Sequence, residues 1–363
     1  MAASRWFGGL RRSARTLVLD LFGKTIATGD GRRILTDNLR GLTVPARLPP
    51  PAPLPSFGYG RLAPDAPRRV KPDPVFITAR FRSGSTLLWN LFRHVPSCRS
   101  FYEPLNERRW FDSSLRGSRV DPTHAGVTDY WAEYDGLADL GRHFHDDWTY
   151  RRLYLGREDW EPDLEAYIQA LVDAAPEHAV LQFNRVDFRL PWLRERFPRA
   201  RVLHLYRNPR DEWCSSLVDP GRFPRDGTVA DFAAFDYFYL LPWADDLSAH
   251  FPFLDPRRAS HPYELFYYLW RLSYDFGCAY AHASFGFEDV CASPRTQIER
   301  LMQAAGVESF DLDVLARLVA PAGQDKWRRY ADEAWFDAHE RRCEAVLASL
   351  ARPQEMDLSS ATP

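Results

Sequence analysis

The stretch FITARFRSGSTLLWNLF, residues 76–92, decides the fold. It begins with an apolar run typical of a buried strand, turns through a short serine- and glycine-rich segment, and continues as a helical pattern. Such a strand–turn–helix unit offers backbone N–H groups and a helix N-terminus to an anion. Gly84 allows the backbone to approach that anion closely, and the hydroxyls of Ser85 and Thr86 are further donors. The sequence therefore predicts a phosphate-binding loop.

This loop lacks the lysine of an ATP or GTP site. In the Walker motif a lysine follows the last glycine and reaches the terminal phosphates, and the next hydroxyl binds magnesium. Here Ser85 follows Gly84, and Ala79 takes the place of the first glycine. The positive charge comes from Arg82, with Arg80 nearby, and an arginine there can stabilise a leaving phosphate without a metal. We therefore expect no metal site. The alternative to a phosphate-binding loop is an ordinary turn with two solvated arginines.

A second strand–helix junction predicts another anion contact. The stretch RVLHLYRNPRDEWCSSL, residues 201–217, ends a strand pattern at Tyr206, turns at Arg207 and enters a helical pattern that contains Ser215. Ligands of parallel sheets bind beyond the carboxyl ends of the strands. We therefore expect Arg207 and Ser215 to face the same opening as the first loop. His204 lies inside the strand pattern and is expected to be structural.

Strand and helix patterns alternate along the chain. The runs PVFITA, HAVLQF and RVLHLY read as strands, and helical patterns follow them from about Ser85, at LPWLRERF and from about Arg210. This alternation indicates a parallel sheet covered by helices. The predicted fold is α/β, a P-loop-type three-layer fold with a central parallel sheet flanked by helices. The segment between Val218 and Pro262, rich in proline, aspartate and aromatic residues, is expected to be an insertion or a lid.

The two anion motifs together resemble those of sulfotransferases that use 3′-phosphoadenosine 5′-phosphosulfate (PAPS). RSGSTLL resembles the 5′-phosphosulfate loop of that family, in the arginine form typical of tyrosylprotein and carbohydrate sulfotransferases. RNPRDEWCSSL resembles the 3′-phosphate motif, in which an arginine and a serine lie eight residues apart, as Arg207 and Ser215 do. The resemblance implies PAPS as sulfuryl donor, with no metal. It implies these contacts to the 5′-phosphosulfate: Arg80, Arg82, Ser83, Gly84, Ser85 and Thr86.

Two later segments extend the resemblance, which covers roughly residues 74–330. The segment that begins FEDVCASP at Phe287 is similar to an aromatic-Glu-Asp segment of the family, in which the aromatic side chain lies by the nucleotide. GQDKWRRY resembles, more loosely, the loop that closes over the cofactor. The resemblance therefore implies cofactor contacts for Phe287, Lys326 and Trp327.

The stretch SFYEPLNE places a glutamate, Glu103, 21 residues after Arg82. In tyrosylprotein sulfotransferases a glutamate at this spacing is the catalytic base, and YEPL also resembles carbohydrate 6-O-sulfotransferases. The resemblance implies that Glu103 and Arg82 are catalytic and that the acceptor is a hydroxyl, favouring a saccharide or glycolipid. The alternative for Glu103 is a surface or salt-bridged carboxylate.

One departure from the family pattern concerns the strand HAVLQF. Many arginine-type members have a lysine here, whereas this chain has Gln182, with Asn184 and Arg185 beside it. Arg185 is a candidate to supply the missing charge. The departure keeps open a second function, a catalytically silent nucleotide-binding scaffold. A P-loop kinase is the third alternative, and the absent lysine argues against it.

Composition restricts the partners and the location. The 363 residues carry a net charge of −2, so nucleic acid is not an expected partner. Five cysteines without paired spacing indicate reduced thiols and a cytoplasmic location. No apolar run approaches a membrane span, but residues 5–22 combine arginines with apolar side chains, so peripheral membrane contact is an alternative to packing on the domain.

The expected domain organisation has four parts. Residues 1–44 form an N-terminal helical extension, and the Pro-rich residues 45–73 form a connector. Residues 74–350 form the sulfotransferase domain, and residues 351–363 form a flexible tail.

Overall fold

A parallel five-stranded sheet forms the centre of the computed structural model, with strands in the order β2-β3-β1-β4-β5. The strands are β1 (Val75–Ala79), β2 (Cys98–Tyr102), β3 (His178–Phe183), β4 (Arg201–Tyr206) and β5 (Ala283–Gly286). The structure describes residues 72–117, 120–121, 124, 126–217, 221, 223–321, 323 and 325–351. The extension 1–44, nearly all of the connector 45–73 and the tail after residue 351 lie outside the described residues.

Helices connect the strands and cover the sheet. The α-helices are α1 (Ser85–Arg93), α2 (Pro162–Ala174), α3 (Leu190–Arg196), α4 (Pro209–Ser216), α5 (Val229–Phe232), α6 (Leu240–Leu247), α7 (Pro262–Tyr280), α8 (Phe287–Ala292), α9 (Pro294–Ala305), α10 (Leu312–Leu318) and α11 (Glu333–Ala351). Short 3₁₀ helices span Ala132–Tyr134, Ala138–Arg142, Asp146–Thr149, Asp187–Arg189, Pro252–Leu254 and Lys326–Arg329. None of the helices in the described ranges has the length and apolarity needed to cross a membrane. The predicted α/β class is confirmed.

The first strand–helix unit is fixed by burial on both sides. All five residues of β1 are buried between β3 and β4, as expected for a central parallel strand. Helix α1 places Trp89 against β2, where the Trp89 indole donates to the carbonyl of Ser100 at 2.7 Å. Burying each large side chain of this kind contributes about 1.5–3 kcal/mol. The loop between β1 and α1 is therefore held at both ends by well-packed elements.

The region predicted as an insertion or lid contributes largely to the core. Phe232 and Trp243 are buried and belong to the same apolar cluster as Trp213 of α4. The Trp243 indole also donates to the carbonyl of Thr149 at 3.0 Å. The exception is Tyr237, which remains 57% exposed. The region is thus a structural part of the domain with one exposed aromatic side chain.

Candidate active site

All five strands run in the same direction, so their carboxyl ends meet at one edge of the sheet. A polar or aromatic residue leaves each strand at that edge: Arg80 after β1, Glu103 after β2, Asn184 after β3, Arg207 after β4 and Phe287 after β5. A cavity of about 1080 Å³ opens there. All but Arg80 line it.

The loop after β1 has a conformation that requires a glycine. Gly84 has a φ of 95°, and Arg82 also has a positive φ, 65°. The Phe287 ring packs directly on Gly84, where an added Cβ would lie 2.2 Å from a ring carbon. Any larger residue would therefore collide with Phe287 as well as strain the backbone. After Gly84, α1 begins at Ser85 and directs its first-turn N–H groups toward the cavity edge.

The two predicted anion motifs meet in the structure. The Arg82 Nε donates to the Ser215 hydroxyl at 3.1 Å, although the two residues are 133 positions apart. The Arg207 guanidinium donates to the Arg82 carbonyl at 2.9 Å and lies over the Phe287 ring at 5.0 Å. Arg82 also pairs with Asp121 at 3.1 Å. These contacts bring the residues from the first loop, α4 and α8 into a single site.

The cavity lining includes most of the residues that were predicted to bind the cofactor. It contains Arg82, Gly84, Ser85, Thr86, Arg207, Ser215, Phe287 and Lys326. Thr86 additionally shares a hydrogen bond of 3.1 Å with the hydroxyl of Tyr102, which the sequence did not single out. Burial and the neighbouring Glu103 carboxylate raise the pKa of Tyr102 well above its ordinary value, so its hydroxyl stays protonated.

Arg80 and Ser83 support the loop from inside and do not line the large cavity. The Arg80 side chain is buried against Trp243 and Phe266, with its Nε 3.5 Å from the Glu212 carboxylate. The fully buried Ser83 hydroxyl donates to the carbonyl of Arg80 at 2.7 Å. The loop turns both side chains toward the core, so neither of them lies at the cavity where the cofactor contact was expected.

Trp327 is also outside the cavity. Its side chain is 4% exposed and packs against Phe336, with the Arg210 guanidinium 5.0 Å from the ring centre. The adjacent Lys326 lines the cavity. Of this predicted pair the structure brings only Lys326 to the site, because burial of the large indole in the core is favourable.

A set of hydrogen bonds holds Glu103, and the sequence did not reveal it in full. Asn184 donates to one carboxylate oxygen at 2.6 Å, and Asn106 donates to the other at 2.5 Å. Arg185 donates to that second oxygen at 3.4 Å and to Glu107 at 2.7 Å. We call Asn106, Asn184 and Arg185 the carboxylate clamp. The held Glu103 lines the cavity, and its backbone has a φ of 39°. This conformation costs about 1–3 kcal/mol for a residue other than glycine.

Gln182, at the position of the expected lysine, lies inside the sheet and does not line the cavity. It is fully buried in β3 between Ile77 of β1 and Tyr102 of β2. Neither atom of its amide has a hydrogen-bond partner among the described residues. Positive charge reaches Glu103 instead from Arg185, whose guanidinium stacks 4.8 Å from the Phe81 ring.

Two buried titratable groups lie beneath the site. Burial raises the pKa of Glu212 to about 8, although Arg80 and Arg207 favour its charged form. Burial also lowers the pKa of His204 to about 4. The neutral His204 ring shares a hydrogen bond of 3.1 Å with the Ser284 hydroxyl. His204 is therefore placed in the sheet, away from the cavity lining, as the structural interpretation expects.

The parallel sheet and the arginine-bearing loop at its strand ends define an α/β protein of the P-loop type. Residues 74–251 match the model of the sulfotransferase family, and the predicted sulfotransferase resemblance is confirmed.

Solved structures of sulfotransferases resemble this one in part. The sulfotransferase STF9 from Mycobacterium avium matches with 15% identity over 80% of this chain and 79% of its own, with a TM-score of 0.42. The sulfotransferase domain from the curacin biosynthetic pathway matches with 15% identity over 76% of this chain and 98% of its own, with a TM-score of 0.37. A mouse sulfotransferase complexed with PAP matches with 10% identity over 76% of this chain and 89% of its own, with a TM-score of 0.34. No curated protein matches in sequence.

Proposed function

We propose that the protein transfers the sulfuryl group of PAPS to a hydroxyl of a saccharide or glycolipid, with Glu103 as general base. One observation carries the proposal. Glu103 and the arginine-bearing loop of Arg82 line the same cavity, so an acceptor hydroxyl can lie between a carboxylate and a site for a phosphosulfate.

The donor half of the cavity fits a doubly phosphorylated nucleotide without a metal. Arg82, the first-turn N–H groups of α1 and the hydroxyls of Ser85 and Thr86 would bind the 5′-phosphosulfate. Arg207 and Ser215 would bind the 3′-phosphate. The nucleoside would lie against Phe287, which already covers Gly84, with Lys326 nearby.

The residues on the acceptor side would supply proton transfer and charge stabilisation. PAPS when bound supplies an activated sulfuryl group that is transferred in line from one oxygen to another. Glu103 would take the proton that the acceptor hydroxyl loses, and Arg82 would stabilise the charge that develops on the leaving phosphate. An ionised carboxylate has about four acceptor positions. The clamp donates to three of them, which fixes both carboxylate oxygens at the cavity.

The test of the proposal is the Glu103→Gln variant. We expect turnover to fall by at least about 100-fold, because general-base catalysis typically contributes that much or more. Turnover is followed as transfer of labelled sulfate from PAPS to methyl glycosides, and binding of adenosine 3′,5′-bisphosphate (PAP) by calorimetry should stay near the wild-type value. Glu299→Gln, at an exposed carboxylate of α9 outside the cavity lining, is the matched control and should leave turnover unchanged. Normal turnover in Glu103→Gln would remove the base assignment.

A silent nucleotide-binding scaffold is the second candidate, favoured by the buried Gln182 at the place of the expected lysine. Such a scaffold would bind PAP and transfer nothing. Calorimetry with PAP in EDTA, compared with ATP and Mg²⁺, separates both interpretations from a kinase, since a kinase would prefer Mg-ATP. We also propose a cytoplasmic location, because the five cysteines have no paired spacing in the sequence.

A further inference from the structure

Three consecutive aromatic residues pass the acceptor side of the cavity: Tyr237, Phe238 and Tyr239. The segment is fixed at its start, because the Asp236 carboxylate accepts from the first two backbone N–H groups of α6 at 2.7 and 2.8 Å. The Phe238 ring then packs 5.5 Å, and the Tyr239 ring 6.3 Å, from the ring of Phe81 in the phosphate loop. The segment is therefore rigidly attached to the donor half of the site.

Tyr237 lies between these fixed points with its own side chain 57% exposed. Among the described residues, four large apolar or aromatic side chains are exposed: Leu115, Trp160, Tyr237 and Val346. Of these, Tyr237 is the one that lines the cavity. Leaving an aromatic ring in water forgoes a favourable burial. An exposed ring on a fixed segment at a cavity is consistent with a ligand that covers it.

The polar groups around the same part of the cavity limit the class of that ligand. Glu103, Asn106, Glu107 and Arg185 all line it, and the Glu107 side chain is 46% exposed. A planar acceptor with one hydroxyl could pair with Glu103 but would cover the half-exposed Glu107 carboxylate without pairing with it, which is costly. A sugar ring has several hydroxyls at its edge and an apolar face of C–H groups. It can therefore pair with the polar groups while its face packs on an aromatic ring.

We infer that Tyr237 is the platform on which the ring of a saccharide acceptor packs, positioning one hydroxyl for Glu103. The inference rests on the proposed sulfuryl transfer and adds the residue that selects the acceptor. Tyr237 is a positioning residue: it touches the acceptor ring and takes no part in proton transfer. Its contribution is to acceptor binding in the ground and transition states alike, because the fixed segment already places its ring at the cavity.

The experiment compares Tyr237→Ala and Tyr237→Phe with the wild type in the full chain. Initial rates are measured at saturating PAPS, with methyl β-D-glucopyranoside and methyl β-D-galactopyranoside as acceptors. The planar 4-nitrophenol and the non-planar, singly hydroxylated cyclohexylmethanol serve as competing acceptor classes. Tyr237→Ala should raise KM for the glycoside by about tenfold with little change in kcat, since ring packing is worth roughly that factor. Tyr237→Phe should stay within about twofold of the wild type, because it keeps the ring.

Trp160→Ala is the matched control, since Trp160 is 70% exposed and lies outside the cavity lining. It should leave both constants unchanged. An unchanged KM in Tyr237→Ala would overturn the inference. It would also be overturned if the wild-type protein sulfated 4-nitrophenol or cyclohexylmethanol but neither glycoside.

Binding measurements separate this inference from the proposed function. PAP affinity is measured by calorimetry in every variant, and glycoside contact with the protein–PAP complex by saturation-transfer NMR. If PAP binds but neither glycoside receives saturation, the sugar platform is wrong and sulfuryl transfer to another acceptor stands. If the wild type does not bind PAP, the proposed function itself fails.

Discussion

Asn184 and Asn106 each donate a hydrogen bond to a different oxygen of the Glu103 carboxylate. We expect Asn184→Ala to lower kcat by about tenfold or more, because a catalytic group that loses a fixing contact spends less time in the reactive geometry. KM for PAPS should stay within about twofold, since Asn184 lies on the acceptor side of the site. Steady-state kinetics that separate kcat from KM test this prediction.

Gln169→Ala provides a matched amide truncation away from the site, since Gln169 is exposed on α2 and hydrogen-bonds Asp173. It should leave both constants unchanged. A normal kcat in Asn184→Ala, with the variant folded, would show that the clamp does not position Glu103.

The sequence indicated the residues that belong to one continuous motif. Gly84, Arg82 and Glu103 could be selected because each lies in a short pattern with a known chemical purpose. The partner Asn184 could not, because it is 81 positions from Glu103 and reaches it only through the pairing of β2 with β3. A linear pattern also does not show toward which side of a loop a side chain turns. For this reason the sequence predicted Arg80 at the cavity, whereas its side chain turns toward the core.

At the scale of elements, Glu264 joins the first turn of α7 to α11. Burial opposes the charge on Glu264, but hydrogen bonds from His339 and Arg342 outweigh it and lower its pKa to about 2. A carboxylate with a lowered pKa contributes stability above its ordinary pKa near 4.5, and the contribution is lost as the pH falls toward about 2. We expect Glu264→Gln to lower the melting temperature at pH 7.

The deficit of Glu264→Gln should shrink as the pH is lowered from about 4.5 toward about 2, because the wild-type carboxylate becomes protonated there. Calorimetric melting across that pH range measures it. Glu299→Gln, on the exposed face of α9, should show no difference at any pH. A deficit in Glu264→Gln that is constant with pH would mean that the ion pairs are not its source.

The elements with the clearest patterns were predicted well. β1, β3 and β4 are mostly apolar runs, and they occur where the sequence placed them. β2 was less evident, since its sequence CRSFY begins with polar residues and the edge of a sheet tolerates them. The aromatic region after α4 has no regular periodicity, so its burial could not be read from the chain and depends on tertiary packing.

At the scale of the whole molecule, donor binding should stabilise the fold. The binding groups come from the loop before α1, from α4 and from α8, so they are assembled only in the folded chain. At a concentration of PAP 100 times its Kd, the expected gain is about 2.7 kcal/mol. For a domain of this size it corresponds to a rise of about 5–10 °C in Tm. Thermal unfolding with and without PAP measures the shift.

EDTA should leave this shift unchanged, and Arg207→Ala should reduce it strongly, because Arg207 is proposed to bind the 3′-phosphate. Mg-ATP at the same concentration should give a much smaller shift. A larger shift with Mg-ATP than with PAP would contradict the donor assignment.

The position of β1 in the middle of the sheet divides the edge with the strand carboxyl ends into two sectors that can diverge separately. On one side, β4 and β5 lead to Arg207 and Phe287; on the other, β3 and β2 lead to the clamp residue Asn184 and the proposed base Glu103. Because β1 separates the two pairs of strands, neither sector contacts the other directly through strand pairing. A gene lineage can therefore acquire a new acceptor by altering residues on the β2 side, while inheriting its nucleotide chemistry intact from the other.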